Sequence, residues 1–300
     1  MADIRSRSSL TLLSGIRGVG HPHAVERSES IVGDSRFLCG PVPVGPIFSW
    51  QCLLPLPPYK GGFFLERIVG EWIDIAGQGP GGYSGYLALP PRGSGPGLLL
   101  IQEIWGVNEH IRSLAEQYAA DGFVVLAPDV FWRREYRTEL AYDPEGTQAA
   151  YLHYQAMDAL VARQDLELAI KRLQTLSQVA GRIGVVGYCM GGKLAYELAS
   201  TQGLSAGVSY YGSNIAETLA RNPAMAFPYL FHFAEEDHLI TAAQVGELMP
   251  LIAATGEVSF ELYPGVGHGF ACPHRPNYSM EAALAAKAST LSFLCRHLLG

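Results

Sequence analysis

The hydropathic pattern divides the chain near residue 65. Before that point no period persists, and "GPVPVGPIFSWQCLLPLPPYKGG" supplies repeated Pro and Gly instead. From Glu66 onward, short apolar runs alternate with segments of helical spacing. "YSGYLALP" alternates and predicts a strand. "GLLLIQEI" (97–104) is a near-continuous apolar run, as expected of a strand buried on both faces. In "NEHIRSLAEQYAADG", Ile111, Leu114, Ala115 and Tyr118 share one helical face, and Gly122 closes the segment. "FVVLAPD" reads as another buried strand, and residues 147–178 carry helical periodicity through Leu160, Leu166, Ile170 and Leu173. Strands follow in "RIGVVGY", "AGVSYYG", "YLFHFAEED" and "VSFELYPG"; helices follow in "MGGKLAYELAS", "AAQVGELMPLIAAT" and "SMEAALAAKASTLSFLCRHLL". Apolar strands alternating with helices predict an α/β fold, a mostly parallel sheet with helices on both faces. Such sheets carry their chemistry in loops at the carboxyl ends of the strands.

Residues 1–65 are expected to form a disordered or non-catalytic extension, and 66–300 the catalytic domain. The first twenty residues are rich in Arg and Ser, a weak sign of organelle targeting, but Asp3 and the lack of an amphipathic face count against it. His21-x-His23 has no further ligands around it to make a metal site.

Composition narrows the function classes. A net charge of −7, from 28 acidic and 21 basic residues, argues against nucleic acid as a partner, which requires a basic face. Five widely spread cysteines, Cys39, Cys52, Cys189, Cys272 and Cys295, do not resemble a disulfide framework and form no C-x-x-C pair. A reducing, cytoplasmic setting and a monomer are expected. No apolar run approaches the ~20 residues a membrane span needs.

The candidate chemistry centres on "VVGYCMGGKL". Gly187, four residues and then Gly192-Lys193 mimic the start of a phosphate-binding loop, but Leu194 stands where the metal-binding hydroxyl is required. The same stretch read as Gly187-Tyr188-Cys189-Met190-Gly191 is a nucleophile elbow with cysteine as the nucleophile. That reading demands an acid and then a histidine, each in a loop after a later strand. Asp237 ends "YLFHFAEED" and His268 sits in "YPGVGHGF", so order and placement fit a Cys189–His268–Asp237 triad. Taken singly, Asp237 could be a helix cap and His268 a solvated loop residue. Glu103 follows the buried strand where an oxyanion hole is expected. The backbone amides of Ile104 and Met190 are the better donors there.

Four segments together, "QEIWG", "APDVFWR", "GYCMGG" and "GVGHGF", resemble the dienelactone hydrolase (carboxymethylenebutenolidase) family of the α/β-hydrolase fold. The resemblance covers Glu66 to the C-terminus. It implies the triad above, and a glutamate matched by Glu103 that holds the resting thiol and helps ionise it when substrate binds. A free cysteine of pKa ~8.5 is only about 3% thiolate at pH 7. Full ionisation is therefore worth roughly 30-fold, or about 2 kcal/mol. Arginines hold the substrate carboxylate in the family, where a planar fork suits two oxygens. Arg133 matches the first; Cys272 occupies the position of the second, and Arg275 is the candidate substitute. Tyr211 matches a pocket residue, and Trp105, Phe131 and Trp132 are candidate pocket walls. The resemblance implies a hydrolase of a small, anionic ester or lactone that needs no cofactor, nucleotide or metal. A general carboxylesterase or thioesterase, or a non-catalytic member used for binding or thiol sensing, are the alternatives.

Overall fold

The structure, a computed structural model, describes residues 68–299 apart from 222–224 and 255. The 1–65 extension and the His21-x-His23 pair lie outside the described residues.

Eight strands form one sheet: β1 (Glu71–Ala76), β2 (Tyr83–Ala88), β3 (Gly95–Ile101), β4 (Val124–Pro128), β5 (Val179–Tyr188), β6 (Ala206–Tyr210), β7 (Tyr229–Ala234) and β8 (Val258–Tyr263). Their spatial order is β1-β2-β4-β3-β5-β6-β7-β8. The β1–β2 and β2–β4 pairs are antiparallel. Every other pair is parallel. The helices are α1 (Glu109–Ala120), α2 (Pro144–Gln155), α3 (Ala159–Thr175), α4 (Met190–Glu197), α5 (Ile215–Arg221), α6 (Ala242–Ala253) and α7 (Met280–Leu298). This is the α/β-hydrolase architecture expected from the sequence. Among the described residues, no helix is long and apolar enough to cross a membrane.

The period of two along a strand explains the two-sided core. On β3, Leu99 and Ile101 pack on one face with Leu166, Ile170 and Leu173 of α3 and Leu194 of α4. Leu98 and Leu100 point the other way, into a cluster with Ile111 and Ala115 of α1 and Phe293 and Leu294 of α7. All four strand residues are fully buried, which is why the run shows no alternation in sequence.

The sequence expectation differs from the structure in three places. The helical stretch over 147–178 is two helices, because Asp158 caps a new start: its carboxylate accepts from the amides of Leu160 and Val161. Strand β1 escapes notice because it is a short edge strand with no fully buried residue and no strict alternation. Helix α5 has only 7 residues, too few to display a period.

Candidate active site

Strand β5 ends at Tyr188 and α4 begins at Met190, so Cys189 turns the corner between them. It does so with φ 56° and ψ −118°, a conformation that costs free energy for a residue with a side chain. The bend is possible only because the residues two before and two after it, Gly187 and Gly191, lack side chains. A Cβ on Gly187 would sit 1.9 Å from the carbonyl oxygen of Gly191, and one on Gly191 would sit 2.4 Å from that of Ile101. The thiol lies at the positive end of α4 and is nearly buried, with the residue 4% exposed.

Two later loops reach this sulfur. His268, beyond β8, places Nε2 3.1 Å from Cys189 Sγ. Asp237, beyond β7, accepts a hydrogen bond at Oδ2 from His268 Nδ1 at 2.8 Å. The other Asp237 oxygen accepts from the amide of Leu239, which fixes the carboxylate. Burial pulls the His268 imidazole down, but the charge of an ionised Cys189 and the hydrogen bond to Asp237 outweigh it and raise its pKa to about 10. The arrangement therefore favours the imidazolium form of His268. The ring is held from behind by Tyr211, edge-on at 5.2 Å between centroids. Tyr211 itself has φ 36° and a buried hydroxyl without a hydrogen-bond partner.

The sulfur has a second polar neighbour that sequence reasoning missed. Ser213 Oγ lies 3.0 Å from Cys189 Sγ, and the Ser213 amide donates to the Cys189 carbonyl. Ser213 follows β6 in no recognisable motif; only its position at another strand end hints at a role.

Glu103 does not hold the thiol as the resemblance implies. Fully buried just past β3, it accepts from Arg275 Nη1 at 3.0 Å and from the Tyr142 hydroxyl at 2.9 Å. A nearby guanidinium stabilises a buried carboxylate far more than a thiol can. Burial alone would lower the Arg275 pKa; Glu103 and an ionised Cys189 raise it instead, so the guanidinium stays charged at the site. The guanidinium lies 5.2 Å from the centroid of the Trp105 ring, which also packs against Tyr142. Ile104 follows Glu103 directly, just past β3, and Met190 is the first residue of α4.

Arg133 joins a different set of contacts. Its fork closes on Asp165 of α3 with two 2.8 Å hydrogen bonds, and its guanidinium lies over Trp132. The sequence expectation gives that fork to a substrate carboxylate; in the structure Asp165 occupies it. Phe131 is buried in the core, and Trp132 stacks on Tyr83 rather than facing the sulfur. Beside Glu103, the side chains of His110 and Cys272 complete a buried group whose ligand atoms lie within 4.8 Å of one another. Burial and the charge of Glu103 push the Cys272 thiol up to about 12.

Known proteins share this plan. The profile of the dienelactone hydrolase family matches residues 83–298. Carboxymethylenebutenolidase 1 of Cupriavidus pinatubonensis is 31% identical over 228 residues, covering 76% of this chain and 97% of its own. A Pseudomonas carboxymethylenebutenolidase is 33% identical over 230 residues, covering 75% and 95%. Among solved structures, the dienelactone hydrolase of Anabaena variabilis aligns with a TM-score of 0.56 at 15% identity, over 77% of this chain and 99% of that one. A dienelactone hydrolase-like promiscuous phosphotriesterase from metagenomic libraries aligns with a TM-score of 0.65 at 18% identity, over 77% and 99%. A strained cysteine elbow on this sheet, with a family profile spanning nearly all of it, places the chain in the dienelactone hydrolase family.

Proposed function

We propose that this protein is a cysteine hydrolase of a small anionic ester or lactone, working without a cofactor and as a monomer. Family membership supports an ester or lactone hydrolase. The observation that carries the finer reading is the continuous relay from Asp237 through His268 to Cys189, with contacts of 2.8 and 3.1 Å, at a strained strand-to-helix turn.

The thiolate of Cys189 attacks the carbonyl carbon, and the carbonyl π electrons move onto oxygen. The amides of Ile104 and Met190 receive that oxyanion. As the tetrahedral adduct collapses, the C–O bond breaks and the departing oxygen takes the proton from His268 Nε2. In a lactone the leaving oxygen stays tethered to the acyl chain. The neutral imidazole then takes a proton from water, whose hydroxide attacks the thioester; the C–S bond breaks, releasing the acid and returning the thiolate beside the imidazolium. Asp237 keeps Nδ1 protonated and the ring oriented throughout. Ser213 donates to the thiolate, the part the resemblance assigns to Glu103. Glu103 instead positions Arg275, whose remaining N–H groups are available to a substrate carboxylate. Tyr211 and Trp105 wall that side of the pocket.

The test compares wild type with Cys189→Ala on a panel of lactones, aryl esters and thioesters, with and without a carboxylate. The expected result is loss of turnover in the variant and a preference for anionic lactones or esters in wild type. Full activity in Cys189→Ala overturns the nucleophile. Equal turnover of neutral and anionic substrates favours a general carboxylesterase.

A further inference from the structure

Beside the proposed nucleophile lies a second cluster, of which the proposed hydrolysis uses only Glu103. Glu103, His110 and Cys272 come from the end of β3, the first turn of α1 and the loop after β8. Their exposures are 0%, 4% and 0%, and one ligand atom from each lies within 4.8 Å of the others. His110 Nε2 is buried and has no hydrogen-bond partner. A buried ring nitrogen left unsatisfied is costly and calls for a reason. The ring also lines a cavity of about 240 Å³ between α1, α7 and the loop carrying Cys272, together with His274 and Tyr278. That cavity reaches the cluster at His110 and at Ala271 and Pro273, the residues on either side of Cys272.

We propose that Glu103, His110 and Cys272 form a binding site for a divalent transition-metal ion of the zinc class. Carboxylate, imidazole and thiolate are the three ligand types that zinc combines. Bonds of about 2.0–2.3 Å at tetrahedral angles put ligand atoms about 3.6 Å apart, so the three need to close by no more than about 1 Å. Glu103 is already engaged by Arg275 and Tyr142, one hydrogen bond to each oxygen. Each carboxylate oxygen has a second lone pair, so a metal can share the group with Arg275 rather than displace it. Binding converts the Cys272 thiol to a metal-bound thiolate and releases one proton. With Arg275 counted, the loaded cluster carries one net positive charge. The open coordination position therefore suits water or a small anion. If the proposed hydrolase reading holds, metal that ties down Glu103 and Arg275 also inhibits turnover of anionic substrates.

The test reads metal binding directly and so is independent of hydrolysis. Co²⁺ is titrated into the full, chelator-treated chain while thiolate-to-cobalt charge transfer and d–d absorption are followed, and Zn²⁺ is then added to displace it. Wild type and Cys189→Ser should both show the charge-transfer band. Cys272→Ser should lose it, and His110→Gln should weaken Co²⁺ by at least about 10- to 100-fold. A band lost in Cys189→Ser and kept in Cys272→Ser would put the metal on the other sulfur and overturn the site, as would a band kept in both or absent from wild type. Should Cys272→Ser fold poorly, an unchanged Co²⁺ affinity in His110→Gln overturns it equally.

Discussion

Replacing Arg275 by Met leaves Glu103 charged in a place where only the Tyr142 hydroxyl remains to face it. The Glu103 side chain is 1% exposed and that of Arg275 16%, so neither charge is well screened by water. Breaking such a pair from one side costs about 3–5 kcal/mol, because a buried charge is left uncompensated. The partial exposure of the guanidinium argues for the lower end. For a domain of this size each kcal/mol moves the midpoint by roughly 2–4 °C, so thermal unfolding should fall by about 6–20 °C. Glu103→Gln alone keeps the Tyr142 contact but leaves the guanidinium without its carboxylate. The double variant Glu103→Gln/Arg275→Met removes both charges and should recover most of the loss, since a neutral replacement of a buried pair is often close to isoenergetic. Urea unfolding of all four proteins closes the cycle, with an expected coupling of about 2–3 kcal/mol. A coupling below about 0.5 kcal/mol would mean that the ion pair does not form in solution, and the assignment of Glu103 as the positioner of Arg275 would fail with it.

Three further outcomes are expected. Ser213→Ala removes a hydrogen bond to a charged sulfur, worth about 1.5–3 kcal/mol, and should lower the ionisation constant of the thiol, followed by ultraviolet absorption, by about 10- to 100-fold and lower kcat/KM with it; Ser213→Thr should restore part of it, and unchanged thiol titration would remove Ser213 from the mechanism. His268 has a folded pKa near 10, above the ordinary imidazole value of about 6.5, so its stabilising contribution is complete below about pH 6.5 and is lost as pH rises through 10. The stability difference between wild type and His268→Gln should therefore shrink as pH climbs from 6.5 toward 10; a difference that grows contradicts the sign. Arg133→Ala should leave the KM ratio of anionic to neutral esters unchanged, because its fork serves Asp165; a KM rise confined to anionic esters would return Arg133 to the pocket.

How much could be read from sequence depended on whether a feature leaves a local signature. The β3 and β5 runs, the α1 face and the closing α7 are periodic or continuously apolar because their burial is one-sided or complete. Strand β1 lies at the sheet edge with its residues exposed or only half-buried in no regular alternation, so it carries no such mark. At the candidate site, the meeting of Asp237 and His268 with Cys189 is legible because the elbow spacing and the strand-end loops are themselves sequence features. Tyr142, Ser213 and His110 are not. Tyr142 meets Glu103 across 39 residues and Arg275 meets it across 172, and nothing short of the fold brings them together. The fork of Arg133 was misread for the same reason: Asp165 sits in an ordinary amphipathic helix and gives no sign of its partner.

The sulfur's companions arrive late in synthesis. Cys189 leaves the ribosome 79 positions ahead of His268, and Asp237 and β7 are also still to come. A nascent fragment that stops short of β8 holds an ordinary thiol with no base to activate it. On the proposed mechanism, reactivity beyond that of an ordinary thiol switches on only when the last strand docks, so the alkylation rate of this one atom can serve as a clock for the final step of assembly.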